Sequence, residues 1–149
     1  MSHGDDILER LERALAQFGG EAELSFHGTR DGTTRFAGSR VTQTGEVRDQ
    51  VVQARVAIGR RVGAARVNAV DAAALAAALA QARAVAERVP EGDFAGFADG
   101  REPLEPCADA YDEATANADA AARASLIRPA FTAPAQAGMS AAGLCSAGE

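Results

Sequence analysis

Apolar positions along this chain switch period several times, and each switch marks an element. Ile7, Leu8, Leu11, Leu15 and Phe18 recur at helical spacing behind Asp5 and Asp6, which stand as capping acids, and Gly19-Gly20 closes the run. This predicts an N-terminal helix. Leu24 and Phe26 then alternate with Glu23, Ser25 and His27, the period-2 signature of a half-buried strand. Asp31-Gly32 predicts a tight turn back into residues 33–37. Gly38-Ser39 and Thr44-Gly45 bracket a short extended piece over residues 40–43.

The clearest strand follows, with Val52, Ala54, Val56 and Ile58 on one face and Gln53 and Arg55 on the other. Gly59-Arg60 predicts a hairpin turn into residues 61–68. Asp71 caps a second helix, in which Leu75, Leu79, Ala82, Ala86 and Val89 repeat at intervals of three and four before Pro90 ends it. Small alanines on that stripe let a helix lie close to a sheet.

Beyond residue 90 the texture changes. Residues 91–119 hold nine acids and one arginine, with Pro103, Pro106 and several glycines, which reads as an acidic linker or arm. Asn117 or Asp119 starts a third predicted helix through Leu126 and Ile127, with Pro129 and Pro134 set to bend or interrupt it. Residues 139–146 have the composition of a buried strand that begins a new unit, as though a longer design had been cut short. The expected fold is α+β: an N-terminal helix, an antiparallel sheet of three to five strands, and an alanine-rich helix packed on it. The expected organisation is a domain at 1–90, an acidic linker at 91–117 and a partial following unit at 118–149.

At 149 residues the chain has the length of one domain, enough to remove about 70% of its unfolded surface from water. Cys107 and Cys145 are far apart and show no metal or disulfide spacing, so two thiols in a reducing compartment are expected. The acidic start and the absence of a long apolar run make the cytoplasm the expected location, with no membrane contact. Every basic residue is arginine. Residues 30–66 hold eight arginines against three acids, a net +5, while the rest carries −11. Such blocks steer association within or between chains. Phe36 is the only aromatic among those arginines, which argues against a nucleic-acid partner.

A catalytic constellation is not legible. His3 lies near the terminus and His27 on the polar side of the first strand, where residues two apart stand about 6.6 Å from each other, too far to share one metal ion. The sequence has no helical His-Glu pair, calcium loop, Gly-x-Ser-x-Gly elbow or phosphate-binding loop. Asp5-Asp6 and Asp112-Glu113 read as caps or solvated acids.

The strand region, read as words, resembles the N-terminal domain of the TldD/PmbA family of zinc metallopeptidases. The resemblance is carried by Ala22-Glu23-Leu24-Ser25, by Arg35-Phe36-Ala37 with Val41 and Gln43, and by Arg55-Val56. It continues through a Gly-Arg hairpin into Val62-Gly63-Ala64-Ala65, then Asn68 before the helix of Leu75, Ala82 and Ala86. It spans about residues 5–90, and more loosely 111–115 and 137–143. Two departures touch the hairpin: Gly59 lies one place early, with Arg60 where the family sets glycine, and Ala64 stands where an aromatic is common.

The resemblance implies a non-catalytic N-terminal part of such an enzyme, inactive alone, because the family's zinc ligands and catalytic glutamate lie on a His-Glu-x-x-x-His helix that this sequence does not contain. No catalytic, cofactor-binding or metal-binding residue is therefore assigned, and zinc is expected only in a full-length member. The implied partners are a peptide substrate or a metallopeptidase subunit, in a homo- or heterodimer. Arg35, Arg55 and Arg61 are the candidate peptide or subunit contacts, with Arg55 expected to face outward and favour acidic peptides. The rival expectation is a free-standing interaction or regulatory module that pairs with a full-length metallopeptidase subunit.

Overall fold

A computed structural model describes residues 3–98 and 110–149. Helix α1 (His3–Phe18) leads into β1 (Ala22–Ala37), β2 (Arg40–Ile58) and β3 (Arg61–Val67). These are followed by α2 (Ala72–Ala86), the single turn α3 (Glu113–Ala116), α4 (Ala120–Gln136) and β4 (Ala142–Gly148). The strands form one antiparallel sheet in the order β3-β2-β1-β4. The expected α+β class is the one observed. Cys107, Pro103 and Pro106 lie outside the described residues.

Two compact units share the chain, one built from residues 1–28 and 50–103, the other from residues 29–49 and 104–149. Texture along the sequence draws its boundary near residue 90, whereas the units are assembled from non-consecutive pieces.

In the first unit, α1 and α2 cover one face of the sheet. Val52, Ala54 and Val56 of β2 point into the core with Ala65 of β3, where they meet Leu75, Ala78, Leu79 and Ala82 of α2 and Ile7 and Leu11 of α1. Removing this apolar area from water is the main force holding the helices to the sheet. Leu8, expected on the buried stripe, is 60% exposed, since it lies one residue and so about 100° around the helix from Ile7. The helix stops at Gly19, whose φ of +67° takes the left-handed conformation that closes helices. Asp71 caps α2 as predicted, its carboxylate accepting from the Ala74 N–H at 3.0 Å. Gly63 sits under α2, and a Cβ there would collide with the Ala82 carbonyl and the Ala86 amide nitrogen. That missing methyl group sets how closely α2 approaches β3.

The second unit corrects several expectations. Asp31-Gly32 makes no turn: β1 runs through it, Asp31 opposite Gly148 and Gly32 opposite Ala147. Thr44-Gly45 likewise lies inside β2. The reversal occurs once, at Gly38 and Ser39, both left-handed with φ of +57° and +60°, so four short pieces are two long strands. Residues 142–148 form a strand that pairs with residues 31–37 of β1 and is mostly exposed rather than buried. Helix α4 starts at Asp119, whose carboxylate accepts from the Ala122 N–H at 2.7 Å, and it continues through Pro129 and Pro134.

The core of this unit mixes apolar and polar groups. Phe36 of β1 meets Phe131 of α4 with ring centroids 5.7 Å apart, and Ile127 and Ala116 are buried. Arg123 of α4 is 3% exposed. Its Nε donates to Thr34 Oγ1 at 3.2 Å and its Nη1 to the Ala118 carbonyl, while Thr34 shares a hydroxyl contact of 3.1 Å with Thr44. A buried guanidinium is tolerated only where its donors are satisfied, and no buried side-chain polar atom among the described residues lacks a partner.

Candidate functional site

The face of the sheet opposite the helices is the candidate contact surface of the first unit. Strand alternation sends Gln53, Arg55 and Ala57 of β2 away from the helices, and the β2–β3 register sets Ala64 opposite Arg55 and Arg66 opposite Gln53. Arg66 Nε donates to Gln53 Oε1 at 3.1 Å. Arg55 Nη1 reaches Glu23 Oε1 of β1 at 3.0 Å, and its guanidinium carbon lies 5.1 Å from the centroid of the Phe97 ring. Arg55 does face outward as expected, but it is about one-third exposed and already holds a carboxylate and an aromatic ring.

Arg61 turns the other way. Opposite Ile58 in register, it shares the helix-covered side, and its Nη1 donates to the Glu87 carbonyl at 3.4 Å just beyond α2. A cation at that position complements the partial negative charge of a helix C-terminus. Arg61 is thus an anchor of α2 in its local setting, and it shares no surface with Arg55.

Arg35 belongs to the second unit, exposed on the side of β1 away from Phe36 and opposite Leu144 in register. It lines a shallow depression of about 220 Å³ with Asp31, Thr33, Gln43, Gly45 and Val47. Near it in sequence, Glu46 accepts from Arg48 Nε at 2.9 Å and pairs with Arg30 at 3.3 Å. Those two guanidinium groups, Arg48 foremost, hold the Glu46 carboxyl below its ordinary range.

Arg60 was not singled out from the sequence, because a hairpin-turn arginine gives no signal of its own. Its Nη2 pairs with Asp93 at 3.0 Å and its Nε donates to the Gly92 carbonyl at 2.9 Å, while the Gly92 N–H donates to its carbonyl at 3.0 Å. Residues 91–98, expected as part of a linker, are therefore fastened to the β2–β3 turn. His27 is exposed on β1, consistent with a solvated strand histidine.

Zinc, which the resemblance associates with the full-length family, finds no matching donor set: among the described residues no three His, Cys, Asp or Glu side chains cluster closely enough to hold a metal ion.

Residues 22–86 match the family model described as PmbA/TldA metallopeptidase domain 1. That span, under half of the chain, is similar to a PmbA/TldD first domain. The matched span runs from the first residue of β1 to the last of α2, taking in the long hairpin, β3 and the capped helix. No curated protein matches the chain.

Among solved structures, the fold is similar to TldE from Thermococcus kodakarensis, with a TM-score of 0.72 and 16% identity over 94% of this chain and 33% of that one. It is also similar to a candidate modulator of a DNA gyrase from Thermotoga maritima, with a TM-score of 0.65 and 15% identity over 97% of this chain and 38% of that one. A third, a candidate modulator of DNA gyrase from Bacteroides thetaiotaomicron, gives a TM-score of 0.72 at 9% identity, covering 99% of this chain and 35% of that one. At such identities the likeness is one of fold. The chain spans about a third of the length of the solved structures it matches. No described helix is long and apolar enough to cross a membrane.

Proposed function

We propose that this chain is the non-catalytic N-terminal part of a TldD/PmbA-like metallopeptidase, building a wall of the enzyme while other polypeptide supplies the groups that cut the peptide bond. The observation that carries this reading is the domain-1 match over residues 22–86 in a chain about a third as long as its solved relatives. A family known by its metallopeptidase chemistry keeps that chemistry at a metal site, and three of the arginines in this chain are taken up in structural contacts. Arg61 anchors α2, Arg55 holds Glu23 and Phe97, and Arg123 is buried.

In this role the exposed sheet faces meet either a peptide or another subunit. The proposed setting is the cytoplasm, where the two widely spaced cysteines stay reduced. Metal analysis tests the reading. The purified chain is equilibrated with zinc, passed through gel filtration and assayed for bound metal. Substoichiometric zinc agrees with a scaffold; one tightly retained zinc per chain contradicts it.

A further inference from the structure

Residues 91–98 run as irregular backbone with the sequence Glu-Gly-Asp-Phe-Ala-Gly-Phe-Ala, two acids and two phenylalanines three positions apart. Arg60 grips the beginning through three contacts: the Gly92 N–H on its own carbonyl, its Nε on the Gly92 carbonyl, and its Nη2 on Asp93. Arg55 grips the end by its stack on Phe97, and the Phe94 and Phe97 rings meet edge to face with centroids 4.9 Å apart. The grip is light. Asp93 is fully exposed, so its ion pair is of the kind that contributes little, and both rings are only half-buried. Release of the segment would free the Arg60 guanidinium from Gly92 and Asp93 and uncover the Arg55 guanidinium from the Phe97 ring.

We propose that the sheet face between Arg55 and Arg60 is a binding surface for acidic peptides bearing two aromatic side chains three residues apart, with residues 91–98 as its tethered occupant. The chemistry of recognition is already displayed by that occupant. A backbone N–H and carbonyl satisfy Arg60, a neighbouring carboxylate pairs with the same guanidinium, and an aromatic ring four residues beyond the carboxylate covers Arg55. This deepens the scaffold reading by naming the class of peptide. It is tested by binding without hydrolysis, so its failure would leave that reading standing.

The probe is a synthetic peptide of residues 91–98 with blocked ends, titrated into the isotope-labelled full chain and followed by amide chemical shifts. In the Phe94→Ala/Phe97→Ala chain, whose own segment can no longer compete, saturable shifts are expected around Arg55 and Arg60. The unsubstituted chain should bind about tenfold more weakly, since a tethered competitor acts at an effective concentration on the order of millimolar. Adding Arg55→Gln and Arg60→Gln should abolish binding, as should Asp→Asn with both Phe→Ala changes in the peptide. Should the double alanine chain fail to fold by circular dichroism, Phe97→Ala alone serves in its place. No saturable shift on a folded chain with its segment disabled, equal affinity for the unsubstituted chain, or undiminished binding after loss of the two arginines would each overturn the proposal.

Discussion

Gly32 of β1 leaves open the volume that the Arg123 guanidinium of α4 fills, for a Cβ at residue 32 would overlap both Nη1 and Cζ. A glycine that looks like a turn signal is instead a socket. It lets a buried cation reach the Thr34 hydroxyl and the Ala118 carbonyl, and so ties α4 to the strand it covers.

Substituting Gly32→Ala should therefore push the guanidinium off its partners and cost about 1–3 kcal/mol of stability, the range for overpacking and lost buried hydrogen bonds. Arg123→Ala should be destabilising by a similar amount. Because both changes act on one contact, the double variant should be less destabilised than the two single effects added together. Urea unfolding of the four proteins measures this; strict additivity would show that the socket and its occupant are independent.

Gly63→Ala probes the other unit. Here the obstacle is helix backbone, the Ala82 carbonyl and the Ala86 amide, which cannot swing aside as a side chain can. The expected loss is about 3 kcal/mol or more, at the upper end for overpacking. Hydrogen exchange should locate it in α2 and β3, with little change in residues 110–149.

How much was legible follows from which groups act locally. Helix α2 was plain because Asp71 caps it and its buried stripe is continuous, and the Gly59-Arg60 hairpin because alternation on both sides fixes its register. Asp31-Gly32 and Thr44-Gly45 misled because glycine serves open space or a close neighbour as readily as a turn. Only the tertiary position of Arg123 distinguishes these uses. Residues 142–148 carried strand composition but no sign of their partner, since pairing with β1 joins segments more than a hundred residues apart. The candidate arginines were found by charge and alternation, yet alternation counts faces and not contacts. It placed Arg55 outward without revealing Glu23 or Phe97, and it gave no hint that Arg61 would cap α2.

Acid should weaken the second unit in a defined way. Arg48, then Arg30, depresses the Glu46 carboxyl below its ordinary 4.5. A group whose folded pKa is lowered contributes its stability above the unfolded value, and that contribution disappears as pH falls through the folded one. Thermal midpoints followed downward from pH 4.5 should thus fall less steeply for Glu46→Gln than for the unsubstituted chain. Added salt should shrink the difference, because the carboxylate is exposed and screened. Asp112, lowered from 3.8 by its hydrogen bond to Thr115, adds a second acid loss at lower pH that Glu46→Gln leaves intact.

As proposed, this polypeptide is a scaffold and peptide-bond cleavage belongs to other polypeptide. Peptide hydrolysis by the purified 149-residue chain, measured with zinc present and again after chelation, tests it most directly. No turnover is expected in either condition. Turnover that a chelator abolishes and added zinc restores would contradict it.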